Sequence, residues 1–247
     1  MKITGDYHTH TRYSHGKGTI KDNVQSALDK GLNEIAITDH GPRTHSIIKL
    51  GVDSSETFLD IKREIKQCQK LYPEIRILSG VEANIINKEG KLDVSKNVLK
   101  SLDLIAAGFH LLIIPPDLKS FKNIVFNNIF LYRLSKKNRD RIRQWNTEAV
   151  INAVKNNKID FITHPGYGID IDTRALAEVC SQENTLLEIN SRHIDLEDNF
   201  VKKAAETRVN FIINSDAHTP GQVGNLQNGI KVAKKLNLNK KRVFNLN

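Results

Sequence analysis

Short hydrophobic runs rich in β-branched residues alternate along the chain with longer stretches of helical periodicity. The short runs predict seven β-strands, over residues 2–7, 34–38, 76–79, 102–106, 160–163, 186–189 and 210–214. The longer stretches predict helices over residues 20–30, 57–71, 173–182, 199–207 and 222–236. Such alternation is typical of βα units around a parallel sheet. The pattern therefore predicts the α/β class, as a TIM-like barrel that is one strand short.

The domain organisation follows from the length and from the absence of a linker. A chain of 247 residues is usual for one α/β barrel, so we predict a single domain over residues 1–247. Residues 111–143 depart from the regular pattern, because they follow a strand end, include Pro115 and Pro116, and are apolar and basic by turns. We interpret them as an insertion, either a helical lid or oligomer contact, or an enlarged loop without a role in the chemistry.

Composition places the chain among soluble proteins, with 39% hydrophobic and 26% charged residues. Cys68 and Cys180 are its two cysteines, and isolated thiols fit a reducing compartment. The first residues have no apolar leader, and charges and prolines interrupt the most apolar stretch, residues 111–134. We therefore expect a cytoplasmic protein with no membrane partner.

The net charge of +9 changes this picture only slightly. Much of the excess lies in residues 133–143 and 231–242, and such runs are more often solvated helix faces than binding sites. The charge favours an anionic substrate weakly, and the lack of interleaved aromatic residues opposes base stacking. A nucleic-acid partner is therefore not favoured, and a homo-oligomer stays open.

The histidines are the strongest chemical signal in the chain. Of the nine histidines, seven lie at or just beyond the ends of predicted strands: His8, His10, His15, His40, His110, His164 and His218. Glu82 and Asp216 also end predicted strands. In a parallel barrel these ends meet on one face, and residues i and i+2 of a strand point to the same side. Buried imidazoles need partners, which shared metal ions supply, so the sequence predicts a centre of two or three divalent ions.

Two further histidines lack this full placement. His45 lies in the loop after His40, and His193 follows the sixth predicted strand. Substrate contact and plain surface exposure are equally open for both.

The motifs around these residues resemble those of the PHP (polymerase and histidinol phosphatase) family. They are His8-Thr9-His10, Thr38-Asp39-His40-Gly41-Pro42, Gly80-Val81-Glu82-Ala83-Asn84, Ala107-Gly108-Phe109-His110, His164-Pro165-Gly166 and Ser215-Asp216-Ala217-His218. The amino-acid sequences of these motifs are most similar to those of the YcdX-like branch of stand-alone phosphoesterases.

The resemblance implies a distorted (β/α)7 barrel with a trinuclear metal centre, usually zinc, with manganese or iron in some members. The first ion would be held by His8, His10, Glu82 and Asp216. Glu82 would bridge to a second ion on His110 and His164, and a third ion would lie between His15, His40 and His218. His15 departs from the pattern, because many relatives have an aspartate there. Glu82, Asp216 and His218 are assigned the catalytic roles.

The implied chemistry is attack of a metal-activated hydroxide on a phosphoester, most simply a small phosphomonoester. Arg192 and Arg43 follow strand ends, and a guanidinium can orient a phosphate, although a surface role is equally open for each. Asp39 either orients a ligand or forms a structural hydrogen bond. The alternatives are histidinol-phosphate phosphatase, a nucleic-acid phosphodiesterase or 3′-exonuclease, and a non-catalytic metal-binding module.

Overall fold

Seven parallel strands lie side by side in the order in which they occur in the chain. We describe them from a computed structural model that covers residues 3–45 and 49–246, without the side chains of residues 194–198. The strands are β1 (Gly5–Asp6), β2 (Glu34–Ile37), β3 (Arg76–Asn84), β4 (Leu104–Gly108), β5 (Phe161–Ile162), β6 (Leu186–Asn190) and β7 (Phe211–Asn214). Each predicted strand is therefore present, and Lys2, the first residue of the first predicted strand, lies outside the described residues.

The sheet closes through the residues that follow β1 and β7. The amide of His10 donates to the carbonyl of Ala217 at 2.8 Å, and the amide of Ala217 donates to the carbonyl of His8 at 3.2 Å. Closure brings the ends of all seven strands around one opening, which confirms the predicted distorted (β/α)7 TIM-like barrel.

Helices surround the sheet in the crossover connections. They are α1 (Ile20–Asp29), α2 (Thr57–Leu71), α3 (Lys96–Leu99), α4 (Leu118–Ser120), α5 (Asn127–Ile129), α6 (Lys136–Asn156), α7 (Thr173–Gln182), α8 (Ile194–Ala205) and α9 (Gln227–Lys235). A π-helix (Phe121–Phe126) and 3₁₀ turns (Leu131–Arg133, Pro220–Gln222, Lys240–Arg242) complete the list. Capping residues set several helix starts: Thr19 and Asp22 form a capping box on α1, and Ser135 caps α6.

Several predicted boundaries differ from the structure. Strand β3 continues to Asn84, well beyond the predicted end at residue 79, because Gly80 and Glu82 remain paired with β4. The last predicted helix, residues 222–236, starts later, at Gln227, since a 3₁₀ turn occupies the preceding residues. The predicted helix at residues 199–207 begins earlier, at Ile194.

The predicted insertion, residues 111–143, is helical over much of its length. Residues 118–133 form a nearly continuous run of helical turns, and α6 begins at Lys136, inside the segment. The run is held against α6 by reciprocal amide hydrogen bonds between Asn128 and Asn146 at 3.2 and 2.8 Å, and its Ile124 is fully buried. Among the described residues, no helix is long and apolar enough to cross a membrane.

Two layers fill the inside of the barrel. A small apolar cluster occupies one layer, and its members are Tyr7, Ala36, Leu78, Leu104, Ala106, Phe161 and Ile212. Because side chains of one strand alternate between its faces, residues two and four positions further along point inward above that layer. Leu78 is thus followed on the same face by Glu82, and Ile212 by Asn214. The fold places apolar residues below and polar residues above, at the C-terminal ends of the strands.

Candidate metal centre and the pocket around it

The predicted ligands gather at the C-terminal opening of the barrel. His8, His10 and Glu82 are fully buried there, and Asp216 is 4% exposed. The other predicted ligands, His15, His40, His110, His164 and His218, lie around these four, with their rings 4.3–6.1 Å from a neighbouring imidazole. The structure therefore brings together the nine residues that the sequence singled out as ligands.

Four donor atoms from His8, His10, Glu82 and Asp216 lie close together. The Nε2 atom of His8 lies 3.3 Å from Glu82 Oε2 and 3.6 Å from Asp216 Oδ1. The Nε2 atom of His10 lies 3.5 and 3.4 Å from the same two oxygens. A tetrahedral zinc ion with bonds of about 2.0–2.2 Å keeps its ligands about 3.3–3.6 Å apart. The four histidine–carboxylate distances therefore fit one such ion, and His8, His10 and Glu82 each offer a ligand atom within 4.8 Å of the others.

A second group of donors shares Glu82. Its other carboxylate oxygen, Oε1, lies 3.2 Å from His110 Nε2 and 3.0 Å from His164 Nε2. The two imidazole nitrogens are 3.3 Å apart. One carboxylate thus faces two donor groups with different oxygens, which is the arrangement expected of a bridging ligand.

The donors assigned to a third ion are grouped differently. His10, His40 and His218 each offer a ligand atom within 4.8 Å of the others, and His40 belongs equally to a group with Glu82 and His110, its Nδ1 atom lying 2.7 Å from Glu82 Oε2. His15 is beside them, with its ring 4.9 Å from that of His40, but its Nδ1 contacts the carbonyl of Leu50 at 3.3 Å. The geometry therefore supports His40 and His218 as a pair more strongly than it supports His15.

Several of these donors have no hydrogen-bond partner among the described residues. They are His8 Nε2, His10 Nδ1 and Nε2, His40 Nδ1 and Glu82 Oε2, all buried; of these, His40 Nδ1 and Glu82 Oε2 lie 2.7 Å apart without the geometry of a hydrogen bond. An unpaired buried polar atom costs free energy, and native proteins rarely leave several together. The chemistry of this donor set fits bound divalent cations, which would supply the missing partners.

The negative charge around the cluster also favours the binding of cations. Glu82, Glu188 and Asp216 bring three buried carboxylates together, and among the described Lys and Arg residues only Arg192 comes within 4.0 Å of any of them. Burial opposes protonation of His8, but the three surrounding carboxylates raise its pKa well above the usual value. A site that attracts a proton this strongly has an excess of negative charge that a divalent ion can neutralise.

The protonation states of Glu82, His10 and His218 suit metal binding. Burial would raise the pKa of Glu82, but the imidazoles of His40 and His8 lower it well below its usual value. Burial lowers the pKa of His10 well below its usual value, and lowers that of His218 to about 4. At neutral pH the carboxylate is therefore ionised and these imidazoles are neutral, which are the forms that bind metal ions.

A buried carboxylate that the sequence interpretation missed orients two of the predicted ligands. Glu188 Oε1 lies 2.7 Å from His8 Nδ1, and Glu188 Oε2 accepts the backbone N–H of His164 at 2.6 Å. Asn84 similarly places its Oδ1 atom 2.8 Å from His110 Nδ1. An oxygen at Nδ1 fixes the tautomer that presents Nε2 to a metal. Glu188 lies in the middle of β6, and its contacts arise only in the folded barrel, so the sequence alone did not single it out.

Backbone strain marks the same region. His164 and Asp216 have φ angles of +24° and +53°, in a region that residues other than glycine seldom occupy. Each follows the end of its strand, and each side chain belongs to the cluster. Strained backbone that the surroundings hold in place is common at functional sites.

Asp39 stabilises the loop that carries His15. Its carboxylate accepts hydrogen bonds from the Thr11 amide at 2.7 Å, the Thr11 hydroxyl at 2.6 Å and the Ser14 hydroxyl at 2.5 Å. These bonds fix residues 11–14, between His10 and His15. The contacts assign Asp39 to loop positioning and not to a bond with His40.

A pocket of about 410 Å³ opens over the cluster. Its wall includes Arg192, whose Nη1 atom is 2.5 Å from His218 Nδ1. His193 also lines the pocket, with its Nε2 atom 3.2 Å from Asp216 Oδ2 and its ring stacked on Tyr167 at 3.8 Å. His193 therefore faces the site, whereas the sequence left its placement open.

Arg43 and His45 lie differently. The guanidinium of Arg43 donates to the carbonyl of Ile114 at 3.0 Å, and Arg43 is not among the described residues that line the pocket. His45 is also absent from that lining, and its amide donates to the carbonyl of Leu112 at 2.9 Å. Both residues position the loop beside the pocket.

Comparison with other proteins gives this geometry a context. The chain is 34% identical over 257 residues to a protein of Thermoanaerobacter sp. (strain X514) described as a probable phosphatase, covering 99% of this chain and 91% of that protein. It is 30% identical over 257 residues to a similarly described protein of Shewanella sp. (strain ANA-3), covering 99% and 88%.

A solved structure shares the fold at low sequence identity. Histidinol phosphate phosphatase from Lactococcus lactis, in a crystal structure with zinc, L-histidinol and phosphate, superposes with a TM-score of 0.69 at 17% identity, covering 96% of this chain and 95% of that one. The sequence itself matches the PHP domain over residues 6–193, which include seven of the nine predicted ligands, while Asp216 and His218 follow the matched part. This chain belongs to the PHP-domain family.

Proposed function

We propose that this protein is a metal-dependent phosphatase that hydrolyses a small phosphomonoester. The observation that supports it most is the shared carboxylate: Glu82 faces two donor groups whose ligand atoms are 3.0–3.6 Å apart. Membership of the PHP family and relatives described as phosphatases agree with this activity.

We assign the metal ligands as follows. One ion is held by His8, His10, Glu82 and Asp216, and a second by Glu82, His110 and His164. A third is proposed on His40 and His218, with His15 as its least supported ligand. Zinc is the first candidate, while manganese and iron accept the same donors. Bound divalent ions would supply hydroxide near neutral pH and would neutralise charge on the phosphoryl oxygens.

The residues of the chain bind and orient the phosphate. Arg192 lies at the mouth of the pocket with 43% of its side chain exposed, so its guanidinium can reach a phosphoryl oxygen. We assign it to phosphate binding, whereas Arg43 is outside the pocket lining and takes no part in the proposed mechanism. Glu82 and Asp216 stay ionised because of the imidazoles around them, and His218 stays neutral. They serve as the catalytic metal ligands.

The pocket limits the substrate to a small molecule. Its volume of about 410 Å³ lies at the lower end of ordinary small-ligand sites. Leu50, Leu111 and Leu112 line one side and offer apolar contact to the leaving group. Histidinol phosphate is one member of the test panel, since the L. lactis protein shows a shared fold and not a shared substrate at 17% identity.

The test is turnover of p-nitrophenyl phosphate and bis(p-nitrophenyl) phosphate by the purified protein, with metal content measured in parallel. The proposal predicts faster turnover of the monoester, loss on chelation and recovery on adding zinc or manganese. Glu82→Gln should lower the metal content. It should also lower kcat/KM by more than the roughly 10–100-fold that is typical of replacing a residue that only hydrogen-bonds to a metal ligand. Glu89→Gln, an exposed glutamate, is the matched control and should change neither.

Two results would contradict the proposal. Faster turnover of the diester would indicate a phosphodiesterase, and absence of turnover in metal-loaded protein across the panel would remove the phosphatase assignment. For Arg192→Ala we expect a raised KM or lowered kcat at unchanged metal content. Wild-type kinetics in that variant would take Arg192 out of the site.

A further inference from the structure

The exposed hydrophobic side chains of this protein are concentrated in one segment. Of the twelve large hydrophobic residues that are exposed among the described residues, eight lie between residues 112 and 134. Leu118, Leu134 and Phe130 are the most exposed of the eight, at 86%, 71% and 58%. Isolated exposed apolar residues are ordinary, but a contiguous group usually marks an interaction surface.

Positive charge is concentrated in the same segment. Residues 117–143 contain eight Lys and Arg and two Asp, a net charge of +6 out of the chain's +9. Most of these side chains are exposed beside the apolar ones. We name the following set the basic apolar surface: Leu118, Phe121, Phe126, Ile129, Phe130 and Leu134 with Lys119, Lys122, Arg133, Lys136 and Lys137.

The way the segment is attached explains why this surface is free. Ser120, Ile124 and Asn127 are buried against the barrel, so one side of the helical run is occupied. The other side has Leu118 and Phe121 next to Lys119 and Lys122, which are exposed. A helical run with apolar and cationic residues together on its outer side is the arrangement of a segment that lies in a membrane interface.

We propose that the basic apolar surface docks this protein on an anionic lipid bilayer. Its charge complements an anionic surface, and its exposed leucine and phenylalanine side chains would enter the boundary between headgroups and acyl chains. The protein would lie on the bilayer and not span it. This revises the expectation of no membrane partner, which rested on the absence of a spanning segment.

Two other occupants fit the surface less well. A second copy docked through the same surface would bring +6 against +6, and that repulsion opposes association. Single-stranded nucleic acid is bound by aromatic rings that accept bases, but Phe126 and Phe130 already pack on each other at 5.3 Å. The most exposed members, Leu118 and Leu134, are aliphatic and suit acyl chains.

The experiment is flotation of the full-length protein with two kinds of vesicle. One is pure phosphatidylcholine and the other is equimolar phosphatidylcholine and phosphatidylglycerol. We expect binding to the anionic vesicles alone, weakened by added salt. Lys119→Gln with Lys122→Gln should weaken it by about fivefold for each charge. Phe121→Ser with Phe130→Ser should abolish it. The lysine variant should keep the wild-type Tm, whereas the phenylalanine variant should stay folded with a somewhat lower Tm, because Phe130 packs on Phe126.

The control pair is Lys70→Gln with Leu71→Ser, which removes an exposed lysine and a 67% exposed leucine from α2 and should leave binding unchanged. Equal binding to both vesicles, or to neither, would overturn the proposal. So would a dimer on size-exclusion chromatography that the Phe121→Ser, Phe130→Ser variant converts to a monomer, because the surface would then be an interface between copies. The proposal would also be overturned if the protein bound single-stranded DNA more tightly than anionic vesicles and the Phe121→Ser, Phe130→Ser variant lost that DNA binding.

Discussion

Replacing Glu188 with glutamine tests whether this buried carboxylate orients the metal ligands. Both oxygens only accept: Oε1 faces His8 Nδ1 at 2.7 Å and Asn214 Nδ2 at 3.0 Å, and Oε2 faces the His164 amide at 2.6 Å and Asn190 Nδ2 at 3.0 Å. A carboxamide puts an NH₂ group at one of these positions. In either orientation it therefore faces two donors.

The two asparagines cannot easily relieve this conflict by turning over. Asn214 Oδ1 accepts the Tyr7 amide at 3.0 Å, and Asn190 Oδ1 accepts the Arg192 amide at 2.9 Å. Each buried donor left without an acceptor costs about 1–3 kcal/mol, so Glu188→Gln should lower the free energy of unfolding by about 2–6 kcal/mol. His8 can escape by moving its proton to Nε2, but that atom is the one that faces Glu82 and Asp216.

The expected result is a loss of zinc affinity of about 10–100-fold, measured by competition with a fluorescent chelator. The matched control is Asn245→Ala, which removes buried hydrogen bonds to Ile213 and Gly5 without touching a proposed ligand. It should lower Tm and leave the zinc affinity unchanged. If folded Glu188→Gln binds zinc as tightly as the wild type, the orienting role of Glu188 is wrong.

Three further predictions concern the fold. Gly90 has φ +75°, and a Cβ there would lie 2.1 Å from the Ala153 amide nitrogen, whereas Gly168 has φ +70° and open space around it. In urea denaturation, Gly168→Ala should lower the free energy of unfolding by roughly 1 kcal/mol, and Gly90→Ala should lower it by well over that amount. Equal losses in the two variants would contradict this. Thr19→Ala should cost about 1 kcal/mol through loss of the α1 cap. Hydrogen bonds from Thr19 lower the pKa of Asp22 in the folded protein. The stabilisation is therefore fully present above the pKa of Asp22 in the unfolded chain, about 4, and is lost as pH falls through its lower pKa in the folded protein. If the difference in free energy of unfolding between wild type and Thr19→Ala does not shrink below about pH 4, the reasoning is refuted. Burial raises the pKa of the Cys180 thiol to about 12 and also raises the pKa of the Cys68 thiol. Neither thiol should therefore react rapidly with Ellman's reagent at pH 8 until the protein is denatured. Rapid labelling of the native protein would show that the thiols are accessible.

The fold was predictable because hydrophobic periodicity records the alternation of strands and helices. The end of β3 was not, since Gly80 and Glu82 interrupt the hydrophobic run while their backbones stay in the sheet. Helix α6 was also absent from the predicted helices, because its strongly basic first turns were interpreted as part of the insertion. Pairing with a neighbouring strand and packing on the barrel determine both cases.

The candidate ligands could be selected from the sequence because they follow strand ends in a parallel barrel, and their binding of metal stays a prediction. The orienting residues were harder, since Glu188 lies inside β6 and nothing in its neighbourhood distinguishes it from a surface glutamate. Its role depends on donors from β1, β5 and β7, which are brought together only by closure of the barrel. Arg43 lies outside the described pocket lining, because a position after a strand end does not determine where a long side chain points. The YcdX-like branch and the role of residues 111–143 stay predictions.

The most direct test of the central claim is the metal content of the protein purified without added metal or chelator, measured by plasma mass spectrometry. The account predicts about two to three equivalents of zinc, manganese or iron per chain, reduced in both His110→Ala and His164→Ala. Less than about one equivalent, in folded protein that also fails to take up added zinc or manganese, would contradict the proposed metal centre and the hydrolytic function built on it.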